Sequence, residues 1–255
     1  MEHGPASPYS GYFDIDWEPP EPALRGKVLL PLLGDQYGVV LENQELTLEV
    51  RGGEFVIRYY DTVLLKLTSP GVPDFYQGTE LWDFSLADPD NRRPVDFAHR
   101  RRMLAELGHE IAHSSDLASV ARRLVETKED GRIKLFIIRQ ALALRRQRTL
   151  LFQAGEYRSL EAHGARAEHI CAFARVRQGE SLVIVVPRLL AVGGLTDPPL
   201  GREAWGDDTR VAVPADAGER FCSVLTGENI ELERGALPVA AALASFPVAL
   251  LVRSG

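Results

Sequence analysis

Between Ser69 and Asp96 the chain reads SPGVPDFYQGTELWDFSLADPDNRRPVD, and its residue types are those that do chemistry. Six carboxylates (Asp74, Glu80, Asp83, Asp88, Asp90 and Asp96) share these 28 residues with Arg92, Arg93 and several aromatic rings. Interspersed prolines and glycines exclude a long regular helix. Aromatic faces interleaved with Asp, Asn, Gln and Arg suit a sugar, because the rings cover its C–H face and the polar groups bond its hydroxyls. The plainer alternative is an acidic surface loop closed on itself by Asp–Arg pairs. The residues alone leave both readings open.

The elements around this stretch must position it. The apolar run Val63–Leu67 predicts a strand that delivers the loop. Phe97–His113 reads as a helix with Asp96 as its N-cap, and Leu117–Val125 continues helically after a break at Ser114–Asp116. Ile133–Arg148 has the clearest helical periodicity, with Ile133, Phe136, Ile137, Ala141 and Leu144 on one face. Its arginines Arg145, Arg146 and Arg148 suit the negative end of the helix dipole. Upstream, Glu45–Val50 and Glu54–Tyr60 alternate about Arg51-Gly52-Gly53 and predict a hairpin. The interrupted run Leu24–Leu33 predicts a short irregular strand. The proline-rich opening with Tyr9, Tyr12, Phe13 and Trp17 predicts a loop. After Phe152 short strands are expected at Tyr157–Leu160, Ile170–Arg177, Ser181–Pro187, Arg210–Val213, Phe221–Leu225 and Leu243–Val252. They have a tight turn at Gly179-Glu180 and make an all-β domain of the sandwich type.

Composition narrows the function classes. The 45% hydrophobic and 25% charged content is that of a globular protein. A formal net charge of −7 argues against nucleic acid as the main partner. No apolar run reaches the ~20 residues of a membrane span, so no membrane partner is expected. Cys171 and Cys222 form no CxxC motif and read as buried thiols of a cytoplasmic protein, with a disulfide as the alternative. No Cys/His cluster has metal-site spacing, and neither metal nor cofactor is expected.

PGVPDFYQGTE resembles the last barrel strand and following loop of the α-amylase superfamily. The extension LWDFSLADPDNRRPVDF is similar to the maltooligosyl trehalose synthase branch and argues against amylase or sucrose phosphorylase. The opening HGPASPYSGYFDIDWEPP with LRGKVLLPLLGDQYG and RYYD resembles an early segment of that family. LRRQRTLLFQAGEY, VVPRLL and LTGE resemble its closing helix and C-terminal β-domain. These blocks are not neighbours in the family, and the join falls near Tyr60–Val63. The resemblance implies an α/β fold: a partial (β/α)8 barrel remnant (β-hairpin segment, last strand and helices) plus a C-terminal all-β sandwich domain. Residues 1–62 would be the loop and hairpin segment, 63–150 the last strand, sugar-site loop and helices, and 151–255 the β-domain. A full barrel takes about 250 residues, so this chain cannot hold one beside such a tail.

The resemblance implies a retaining transglucosylase that converts the reducing-end α-1,4 bond of a maltooligosaccharide to α,α-1,1. That reaction uses an Asp nucleophile and a Glu acid/base. The family's G-x-R-x-D and His-Asp patterns are absent from this sequence. No catalytic residue is therefore carried over, and the expected chain is an inactive relative. The alternative is a non-catalytic α-glucan-binding or interaction module. By resemblance Tyr76, Gln77, Glu80, Asp88, Asp90, Asn91, Arg92, Arg93 and Asp96 would border the pocket for the reducing end. A chain lacking most of a barrel is expected to expose apolar surface around Val63–Leu67 and Ile133–Leu144, open to a partner chain or self-association.

Overall fold

The computed structural model describes residues 37–42, 45–50, 53–57, 59–83, 92, 94–190, 194–195 and 198–254. The expected loop at Tyr9–Trp17 and strand at Leu24–Leu33 lie outside them. The chain divides into two units, residues 1–58 with 190–194, and residues 59–189 with 195–255.

In the first unit β1 (Tyr37–Glu42), β2 (Glu45–Val50) and β3 (Gly53–Ile57) form an antiparallel three-stranded sheet. Leu48 pairs with Phe55 and Leu46 with Ile57, so β2 and β3 form the hairpin expected about Arg51-Gly52-Gly53. The hairpin's second strand ends earlier than expected, because Tyr59 already begins a helix.

That helix, α1 (Tyr59–Thr68), corrects the strand expected at Val63–Leu67. A five-residue apolar run does not distinguish strand from helix by periodicity. Packing decides: Val63, Leu64 and Leu67 share one helix face and are buried. Thr68, also buried, donates its hydroxyl to the Leu64 carbonyl at 2.7 Å. Helices α2 (Phe97–His113), α3 (Leu117–Glu126), α4 (Arg132–Gln147) and α5 (Thr149–Ala154) follow. Asp96 and Asp116 cap α2 and α3 by accepting backbone N–H groups of His99 and Ala118. A 3-10 turn at Lys128–Asp130 leads through Gly131, at φ 81°, into α4.

Then come β4 (Glu156–Leu160), β5 (Ala162–His163), β6 (Ile170–Arg177), β7 (Glu180–Pro187), helix α6 (Gly201–Trp205), β8 (Arg210–Ala212), β9 (Arg220–Ser223), β10 (Asn229–Glu231), β11 (Ala236–Pro238), helix α7 (Val239–Ala242) and β12 (Ala249–Arg253). One sheet has the order β10-β9-β12-β7-β6-β4 and a smaller one β11-β8-β5, every pair antiparallel. Gln178 and Gly179, at φ 48° and 84°, make the two-residue turn between β6 and β7. Positive φ at both positions is what matches such a turn to the twist of its strands.

Leu64 and Leu67 of α1, Phe136 and Ile137 of α4, and Phe173, Ile184 and Leu250 of the larger sheet belong to one apolar core. That core runs without interruption from the helices into the strands. It also overturns the expected exposed apolar patch: Leu64, Leu67, Ile133, Phe136, Ile137 and Ala141 are fully buried, and Val63 and Leu144 nearly so. α1 packs on α4 and covers this face, while Leu142 of α4 is exposed. Among the described residues no helix is long and apolar enough to cross a membrane.

Candidate functional site

The loop after α1 is held at both ends by arginines. At its start Arg145 of α4 donates to the carbonyls of Leu67 (2.7 Å) and Gly71 (3.0 Å) and stacks over Phe152. The Leu67 carbonyl belongs to the last turn of α1, where no intrahelical donor remains, so the guanidinium completes that end. Burial pushes the Arg145 guanidinium below its ordinary range. At the far end Arg100 of α2 donates to Gly78 O (2.6 Å), Glu80 (3.1 Å) and Asp96 O (3.2 Å). Glu80 is thereby paired, and Asp96 is occupied as the N-cap of α2. The backbone N–H of His99 holds its carboxyl below the ordinary value.

Between these anchors the loop folds over α1 and α4 and leaves a cavity of about 370 Å³. This is the small end of the ~300–1,000 Å³ range of small-molecule sites. Its apolar walls are Phe75, Tyr76 and Trp82, and its polar lining includes Asp74, Thr79 and Asp83 from the loop. Thr62 and Lys66 enter from α1 and Lys134 from α4. Trp82 is fixed by donating its indole N–H to the Lys128 carbonyl at 2.8 Å. Gly131 lies close behind: a Cβ there would sit 3.2 Å from the indole. Lys66 Nζ lies 4.7 Å from the centre of the Phe75 ring and Lys134 Nζ 5.6 Å from that of Trp82.

Lys134 is the unusual charge of this site. Its side chain is buried, and Nζ donates to the Leu81 carbonyl at 3.0 Å. Burial lowers its pKa from 10.5 to about 8; Asp83 and Glu80 oppose that shift, and Lys66 adds to it.

Of the residues expected to border a sugar, Tyr76 lines this cavity with its side chain half-exposed, and the neighbouring Gln77 is exposed. Glu80 and Asp96 meet at Arg100 and fix the loop against α2. Arg92 is exposed. Asp88, Asp90, Asn91 and Arg93 lie outside the described residues. Sequence reasoning missed Lys66 and Lys134. The signal for the second was present, because Lys134 shares a helical stripe with the buried Ile138 and Ala141, four and seven residues on. A lysine in an apolar stripe needs a partner from elsewhere, and here the Leu81 carbonyl is one.

The chain resembles maltooligosyl trehalose synthases. Two curated proteins from Mycobacterium tuberculosis strains, assigned as maltooligosyl trehalose synthases, are each 36% identical to it over 190 residues, 74% of this chain and 20% of theirs. The solved maltooligosyltrehalose synthase of Arthrobacter ramosus is 39% identical, with a TM-score of 0.56 over 76% of this chain and 22% of that one. The chain therefore spans about a fifth of the length of the relatives it matches. That partial span fits a chain without the family's central barrel segment. No family model matches it.

Proposed function

Because this chain is a relative of the maltooligosyl trehalose synthases over about three quarters of its length, we propose that it binds the reducing end of an α-glucan without transferring it. The observation that carries this reading is the cavity at Phe75, Tyr76 and Trp82, where three rings meet fixed donors and acceptors. Rings of this kind cover the C–H face of a glucose unit while Asp74, Asp83, Thr79 and Lys134 reach its hydroxyls. Tyr76 and Gln77 contact the sugar at the rim, and Asp88, Asp90, Asn91, Arg92 and Arg93 are assigned to sugar contact by the family resemblance alone. Glu80 and Asp96 serve by holding the loop and α2 in place. In this reading residues 63–150 are the remnant of the family's barrel and residues 151–255 its C-terminal β-domain.

The relatives' names favour a trehalose-forming reaction, and the sequence lacks the motifs that supply its nucleophile and acid/base. Binding without turnover reconciles the two. The test is incubation of the folded protein with maltopentaose, following reducing ends at constant total sugar, beside calorimetric titration with the same sugar. The expected result is saturable heat at millimolar sugar and no loss of reducing ends. Loss of reducing ends would show that carboxylates of this chain perform the transfer. Absence of saturable heat would remove the binding reading.

A further inference from the structure

We propose that Lys134 is a carbonyl-reactive lysine whose neutral amine captures, as an imine, the open-chain aldehyde of a reducing sugar entering the cavity. The sugar as carbonyl source rests on the glucan reading above; the reactivity of the amine does not. The geometry is that of a lysine drawn out of water beside a second cation, an arrangement that activates an amine as a nucleophile. The Lys134 side chain is 7% exposed, its Nζ is tethered to one carbonyl, and it lines a cavity large enough for a small ligand. The charges acting on it are Lys66 from α1 and Glu80 and Asp83 from the loop. Asp74 lines the same cavity.

The step balances without a redox partner. The amine lone pair adds to the aldehyde carbon, forming a C–N bond and opening the C=O π bond, and the oxygen takes up a proton. Loss of that hydroxyl as water, with the second amine proton, leaves the C=N bond. The net change is amine plus aldehyde to imine plus water. With its pKa lowered to about 8, Lys134 is neutral in roughly one molecule in ten at pH 7, against about three in ten thousand for an ordinary lysine. The chain holds four lysines, Lys27, Lys66, Lys128 and Lys134, so labelling can be assigned site by site.

The test uses the intact protein, a short exposure to glycolaldehyde or to maltose at pH 7, reduction with cyanoborohydride, and mass mapping of the lysine peptides. Labelling of Lys134 is expected to be at least tenfold faster than that of Lys128 with either reagent, and to level off above about pH 8. Lys66→Met should slow it by removing the neighbouring cation. Asp83→Asn should quicken it by removing a charge that holds the proton on. Labelling of Lys134 no faster than Lys128, with both labelled after denaturation, overturns the proposal. Selective labelling by glycolaldehyde with none by maltose overturns the sugar as the carbonyl source. Calorimetric maltopentaose binding with neither label overturns the imine and leaves the glucan reading standing.

Discussion

Two buried cations mark two regions of the second unit, and they are treated differently. Arg175, on β6, is 2% exposed and donates to carbonyls at the ends of two helices: Phe152 (2.7 Å), Gly155 (3.1 Å) and Leu151 (3.4 Å) around the end of α5, and Thr68 (3.5 Å) at the end of α1. Carbonyls of a last helical turn lack helical donors, and of these four Leu151 O also accepts the Gly155 N–H at 3.0 Å. Lys134, under the loop, donates to the Leu81 carbonyl and otherwise faces a cavity. Burial lowers the pKa of both groups. A guanidinium with fixed acceptors is a clasp between sheet and helices. An ammonium left beside a ligand-sized space holds reactivity in reserve, and stability is lower for it.

The sharpest way to break this comparison is to remove both charges in turn. Arg175→Met should lose about 3 kcal/mol of unfolding free energy, because several carbonyls lose their donor together. Chemical denaturation at pH 7 reads it, and a loss below about 1 kcal/mol would deny the clasp.

Lys134→Met should act in the opposite sense and depend on pH. The folded pKa, about 8, lies below the ordinary value of 10.5. Below pH 8 both folded and unfolded chains are protonated, and the full cost of burying the charge is present. Between pH 8 and 10.5 the unfolded chain binds more protons, so stability rises with pH. The rise is at most about 3 kcal/mol, and Lys134→Met should lack it. Equal pH profiles for the two proteins would remove Lys134 from the comparison.

Gly131→Ala probes the support of the loop rather than its charges. A left-handed residue and a 3.2 Å contact with Trp82 should together cost about 1–2 kcal/mol and shift the Trp82 emission. Asp96→Ala, which removes the cap of α2, should cost about 1 kcal/mol. The smallest stability effect is expected at Tyr76→Ala, within about 0.5 kcal/mol, because the side chain is half-exposed. Its maltopentaose affinity should nonetheless fall severalfold by calorimetry. Unchanged affinity would place the sugar elsewhere.

Legibility followed the locality of the forces. Phe97–His113 and Ile170–Arg177 have the bounds read from the sequence, because a capping aspartate and a run bounded by turns are local signals. Val63–Leu67 was misread because its helix is decided by distant apolar residues of α4. β1 went unread because YGVVLE alternates too weakly to stand out. The aromatic loop stood out in the sequence, whereas Lys66 and Lys134 did not. Their place in the cavity depends on α1, the loop and α4 meeting, and Lys134's bond to Leu81 spans 53 positions.

Tryptophan fluorescence during a maltopentaose titration tests most directly whether a glucan binds in the Trp82 cavity. Trp205 is fully buried, so it serves as an internal reference. The predicted result is a saturable emission change in the native protein that disappears in Trp82→Phe, while the variant's denaturation midpoint stays close to that of the native chain. A saturable change that survives Trp82→Phe, or no change at any sugar concentration, would contradict the assignment.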